Sequence, residues 1–173
     1  MNKSIFRGCV LLGLAGVVLV GCATTKPVQL TTSFNADEAR RLTQPGVNII
    51  SGSALIRQNG GGVVTCAGLP ILLIPHTSYA VERIRAIYGN TERGYNNVYR
   101  QVKFTPDEPG YLQHTRQTVC DAQGKFVFPN AADGRFYLIG NITWQVGNTA
   151  QGGSLMHAVT VNGGESRDVV LSP

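Results

Sequence analysis

Cys120-Asp121-Ala122-Gln123-Gly124-Lys125-Phe126-Val127-Phe128-Pro129-Asn130-Ala131-Ala132-Asp133-Gly134-Arg135-Phe136-Tyr137-Leu138 is the stretch on which the fold turns. Asp121 and Gly124 occupy the first and fourth positions of a type I turn, the places each residue suits best. Phe126 and Phe128 then alternate with Lys125 and Val127, so a strand sends both rings to one side. Pro129-Asn130 and Asp133-Gly134 make the next corner, and Phe136, Leu138, Gly140 and Ile142 alternate along a strand ending near Trp144. Period two with turn residues between predicts antiparallel sheet, with a hairpin at 121–124.

Outward from this centre the pattern stays mainly strand. Leu69 to Pro75 is a short apolar run bounded by prolines, right for a buried strand, and Gln58 to Gly62 is a glycine-rich turn. Tyr111 to Cys120 alternates polar residues like an edge strand. Gln145 to Gly153 reads as loop, then Leu155 to Val161, a turn at 162–164 and Asp168 to Leu171 close the domain. Ser78 to Tyr88 departs from the plan: Ala80, Ile84, Ile87 and Tyr88 recur at helical spacing, with Gly89 as a C-terminal stop. Gly89 to Gly110 then reads as a long loop, so 76–112 is an insertion.

The amino-terminal end carries an address. Met1 to Arg7 is basic, Gly8 to Val20 is uncharged and apolar, and Leu19-Val20-Gly21-Cys22 resembles the lipobox of bacterial lipoproteins. The apolar stretch is shorter than the ~20 residues a spanning helix needs. Residues 1–21 are therefore expected to be a removed signal peptide, leaving Cys22 as a lipidated first residue. Ala23 follows it, and with no Asp there the resemblance implies release to the outer membrane, facing the periplasm. Residues 22–46 read as a polar tether holding one short helix from Asn35 to Leu42, with Asn35 and Glu38 as a capping pair. The folded domain is expected over 47–173.

Composition narrows the function classes. Of 173 residues, 15 are basic and 10 acidic. Lys3 and Arg7 leave with the signal, and the mild surplus that remains is no argument for nucleic-acid binding. Cys66 and Cys120 remain in a chain bound for an oxidising compartment, so one disulfide is the natural inference, two buried free thiols being the alternative. Such a bond is worth roughly 4 kcal/mol on the chain-entropy account.

Thr118-x-x-Asp121-x-x-Gly124-x-Phe126-x-Phe128 and Gly134-x-Phe136-Tyr137-Leu138 resemble the central hairpins of carboxypeptidase regulatory-like domains. Ala67-Gly68 before Ile71-x-Leu73-Ile74-Pro75 is similar to that family's early strand, and Val159-x-Val161-x-x-Gly164-Glu165 with Val169-x-Leu171 to its last hairpin. The resemblance implies an all-β, antiparallel, transthyretin-like sandwich, to which the spacing over Ser78 to Tyr88 adds one short helix in the insertion. It implies a binding or packing habit and transfers no catalytic residue.

No chemistry-bearing motif competes. His76 with Ser78, and His157 with Ser154, lack an orienting carboxylate and a nucleophile turn. The three histidines have no ligand spacing, and no metal or cofactor is expected. What remains is surface: five tyrosines between 79 and 111 interleave with Arg83, Arg85, Arg93 and Arg100. Tyr and Arg are enriched at binding hot spots. Tyr95, Tyr99, Arg93 and Arg100 are the expected contact residues, in a non-enzymatic lipid-anchored module that binds an envelope protein or glycan. The alternatives are a subunit of a secretion or envelope assembly and an unrecognised hydrolase.

Overall fold

The computed structural model describes residues 26–173. The expected signal peptide (1–21) and Cys22 lie outside the described residues. Among the described residues nine strands run β1 Asn48–Arg57, β2 Val63–Thr65, β3 Pro70–Pro75, β4 Arg93–Asn97, β5 Arg116–Val119, β6 Lys125–Ala131, β7 Gly134–Val146, β8 Thr149–Val161 and β9 Ser166–Leu171. Three helices accompany them: α1 Ala36–Thr43, α2 Ser78–Tyr88 and α3 Pro109–Gln113.

The strands form two packed sheets, the expected all-β sandwich. In sheet one, β1 pairs antiparallel with β6 and β2, and parallel with β9 from Ile49–Ser166 to Ala54–Leu171. Sheet two runs β4-β8-β7-β3-β5 and is antiparallel throughout. Between them lie Ile50, Phe126 and Phe128 from one side and Ile71, Leu73, Phe136, Leu138 and Leu155 from the other. The two phenylalanine rings share a face, as the alternation requires. Cys66 and Cys120 are joined as a disulfide inside this core.

Sheet two is also covered on its outer face. Ile74, Tyr137 and Met156 point away from the first core and pack against Tyr79, Ala80 and Ile84 of α2 and Tyr111 of α3. A strand buried on both faces reads as continuously apolar, which is why Pro70–Pro75 shows no alternation. The α2 helix matches its expected span. Thr77 caps it by accepting from the Ala80 N–H at 3.1 Å, and Gly89 closes it in a left-handed conformation.

Several expectations are corrected. The turn at 121–124 forms, with Asp121 Oδ1 accepting from the Gln123 and Lys125 N–H groups. It closes no hairpin, however: β5 pairs with β3 and β6 with β1, so the turn carries the chain between sheets. Cys120 decides this, since its N–H donates to Leu69 and its carbonyl accepts from Gly68, holding it beside the other sheet. The last turn likewise crosses sheets, and β9 lies parallel to β1 rather than in a hairpin. The expected strand from Tyr111 begins only at Arg116, because Pro109 starts α3 and Tyr111 buries its ring on Tyr79. The insertion thus holds two helices and β4, the latter inside the expected loop 89–110. The expected loop 145–153 is the end of the β7–β8 hairpin, which turns at Gly147-Asn148.

The segment read as tether is packed from Val28 onward. The Val28 N–H donates to Lys103 O at 2.7 Å and its carbonyl accepts from Thr105. Glu82 accepts from Thr31 and Thr32, and these bonds hold its carboxyl down at about 2. Asn35 does cap α1, but Glu38 leaves the expected capping pair to accept from the Ser78 N–H at the start of α2. A helical layer so integrated should unfold with the sandwich. Ile84→Ala, at a fully buried site, is expected to cost about 2–4 kcal/mol within a single urea transition; a separate early transition for α2 would contradict this.

Candidate functional site

The β7–β8 hairpin overruns sheet one, and that overrun makes a cleft. Along the core-facing side of β7, Ile142 is buried, Trp144 is half-buried and Val146 is 52% exposed. Opposite Trp144 in register stands Gln151, whose Oε1 accepts from the indole Nε1 at 3.0 Å. β4 adds Tyr95, whose hydroxyl donates to Gly152 O at 2.8 Å. The chain then turns: Asn97 Oδ1 accepts from the Tyr99 N–H, and Asn97 O from the Arg100 N–H. This turn sets Tyr99 at the rim, 67% exposed. Sheet one supplies the other wall through Ile56, Arg57, Gln58 and Asn59, enclosing about 570 Å³.

Gly152 makes the arrangement possible. Its φ is +90°, and a Cβ there would stand 2.1 Å from Ile142 O and 2.8 Å from the Trp144 ring. The indole therefore lies against bare backbone, while Gly152 O accepts from both Tyr95 and the Val98 N–H. Three aromatic side chains and four amide side chains are thereby presented from a rigid frame. Such a surface can stack on a flat apolar face and hydrogen-bond its polar edge.

The four expected contact residues divide. Tyr95 and Tyr99 come together in this cleft. Arg93 instead reaches Val170 O at 3.2 Å and lines a separate notch with His157 and Arg167. Arg100 lies in a groove on the outer face of sheet two, where its carbonyl accepts from Asn96 Nδ2 at 2.7 Å. The remaining tyrosines pack the insertion. Tyr79, Phe104 and Tyr111 surround the Arg83 guanidinium, whose carbon lies 4.0 Å from the Phe104 centroid and 4.6 Å from that of Tyr111. Burial pushes the Tyr88 hydroxyl up to about 12. Trp144 and Gln151 were missed because pairing them requires placing the Gly147-Asn148 turn, and Asn97 because it depends on the pairing of β4 with β8. That two-residue turn was the available signal.

The residues considered for hydrolysis do not assemble. Ser78 Oγ donates to Glu38, while the His76 ring stacks on Tyr137 at 5.0 Å. Ser154 shares a hydrogen bond with the Tyr88 hydroxyl, and His157, three positions along the strand, faces the opposite side of the sheet. Among the described residues no cluster of His, Cys, Asp and Glu is placed to hold a metal ion.

No protein-family model matches the chain, and no curated protein matches it significantly. A solved structure is similar: a Pseudomonas aeruginosa protein provisionally described as carbohydrate binding, 23% identical, with a TM-score of 0.68. The match covers 82% of this chain and 99% of that one, so the two share a fold over nearly the whole of the smaller chain.

Burial lowers the pKa of both His76 and His157 below the usual 6.5, and the nearby guanidinium groups of Arg135 and Arg93 respectively add to the effect. The folded state therefore favours neutral imidazole, and this contribution is complete above the unfolded value. It is lost as pH falls through 6.5 towards the depressed folded values. The urea midpoint is expected to drop between pH 7 and pH 5, less steeply in a His76→Phe/His157→Leu variant; equal slopes would contradict the assignment.

Proposed function

We propose that this chain is a non-enzymatic, lipid-anchored envelope module that binds a saccharide in the Tyr95–Tyr99–Trp144 cleft. One observation carries the reading: three aromatic side chains and several amides converge on an open cleft, with Tyr95 hydrogen-bonded to Gly152 O and Trp144 to Gln151. A pyranose offers an apolar face for the rings and hydroxyls for the amides, which is the complement of such a surface. The sandwich shared with a protein provisionally described as carbohydrate binding supports the same reading. The lipobox-like Leu19-Val20-Gly21-Cys22 supports attachment through Cys22 at the outer membrane, facing the periplasm, and the turn and strand motifs support kinship with carboxypeptidase regulatory-like domains. Acyl chains gain about 0.8 kcal/mol per buried methylene, so two or more make a lasting anchor.

The alternative of an assembly subunit is favoured by a different face. Ile49, Val127 and Val170 are all exposed on the outer side of sheet one, set among Ser51, Ser53, Lys125 and Asp168, the mixed apolar and polar composition of a protein contact. Recovery of a stoichiometric multiprotein complex from solubilised membranes, abolished by Val127→Lys, would favour it.

Two measurements test the leading reading. Mass spectrometry of the membrane-extracted protein is expected to give an amino terminus at Cys22 bearing acyl chains; a full-length unmodified terminus would refute the anchor. Tyr99→Ala removes an exposed ring and is expected to weaken binding of envelope oligosaccharides about tenfold with an unchanged melting temperature. Unchanged binding would refute the cleft.

A further inference from the structure

We infer that the face around the 98–105 loop docks on an anionic lipid leaflet, with Lys26, Arg100 and Lys103 as its contact cations. The inference rests on the Cys22 anchor proposed above and adds the orientation which that anchor imposes. The Val28 N–H donates to Lys103 O and the Val28 carbonyl accepts from the Thr105 N–H, so Val28 lies in a parallel bridge beside Phe104. Traced backward from Val28, the chain therefore heads the same way as the loop traced from 104 toward 100. Lys26 leaves the body alongside that loop.

The leash to the lipid is short. Val28 stands six positions after Cys22, and an extended chain gains at most about 3.5 Å per residue, a reach of about 20 Å. By contrast, the thirteen residues of β7 extend for about 40 Å. An acylated Cys22 thus keeps the 98–105 loop within about 20 Å of the headgroups, whichever way the rest of the sandwich turns. Tethering raises the local concentration of this face at the surface, so a weak attraction suffices to hold it there.

Charge decides what the loop meets there. Lys26, Arg100 and Lys103 are all exposed, and none enters an ion pair among the described residues. Neighbouring carboxylates do little to cancel them. Asp107 is paired with Arg83, and Glu82 accepts from Thr31 and Thr32, which leaves Glu108 against three positive groups. Phe104 is turned inward onto the Arg83 guanidinium, so the loop offers cations and not an apolar wedge. Clustered Lys and Arg beside an acyl anchor are drawn to anionic headgroups, the second signal that steadies a lipidated chain. The Asn97–Arg100 turn that sets Tyr99 at the cleft rim belongs to the same loop, so docking holds that rim at the membrane surface.

The test reconstitutes the full acylated protein into vesicles of phosphatidylcholine alone or with roughly one-third phosphatidylglycerol, and follows amide hydrogen exchange. The amides of residues 101–103 donate to no backbone acceptor among the described residues, so they report what covers the loop. Their exchange is expected to be about fivefold slower on the anionic vesicles than on the neutral ones. The difference should vanish in about 0.5 M NaCl and in the Lys26→Glu/Arg100→Glu/Lys103→Glu variant. Equal exchange on both vesicles, or slowing that survives the triple substitution, would overturn the docking. Slowing that follows protein density and not lipid charge would point to a second copy of the chain and overturn it too. Mass spectrometry of the same sample separates the two readings: an acylated terminus without lipid-dependent slowing sinks only the docking, whereas an unmodified terminus sinks the anchor and the docking together.

Discussion

Sheet two is covered on both faces across the middle of its central strands. Ile71, Leu73, Phe136 and Leu138 are pressed against sheet one, while Ile74, Tyr137 and Met156 are pressed against α2 and α3. Each such side chain is worth about 1.5–3 kcal/mol on burial, and neither set can be satisfied without its own cover. The helical insertion is therefore a third layer of the fold. Its attachments follow from that demand: Glu38 on the first turn of α2, Glu82 on the amino-terminal segment, and Val28 beside Phe104.

A double-sided sheet also explains the position of the cleft. Sheet one is narrower and shorter, so the β7–β8 hairpin continues past it once the core ends at Ile142 and Leu155. Beyond that point, residues that would be core become walls. Trp144 and Gln151 bond each other instead of a facing strand, and β4 joins the overhang because Gly94 admits the Tyr88 side chain against its backbone. The same layer that buries the outer face thus delivers Tyr95 and Tyr99 to the inner one.

Much of this was legible along the chain. The Asn35 cap, the exact span of α2 and the paired rings of Phe126 and Phe128 follow from local rules of capping and periodicity, which operate within a few residues. The misreadings share a cause. β4 is polar because its partner β8 lies sixty residues away and supplies the pairing. Tyr111 to Gln113 alternates like a strand, yet Tyr111 is claimed by Tyr79 across the insertion. The Asp121–Gly124 turn has ideal residues for a hairpin, but turn chemistry sets the local bend and not which sheet receives the next strand.

Local order alone determined that this would be a β-rich domain with one firm amphipathic helix, two cysteines in reach of oxidation and an amino terminus resembling a lipid-modified one. Tertiary packing alone decided which tyrosines are surface and which are core, since ring exposure depends on neighbours dozens of residues distant. It gathered Tyr95 and Tyr99 with Trp144 and sent Arg93 and Arg100 to other hollows. Alternation assigns a side chain to a face; only the extent of the opposing sheet determines whether that face is covered.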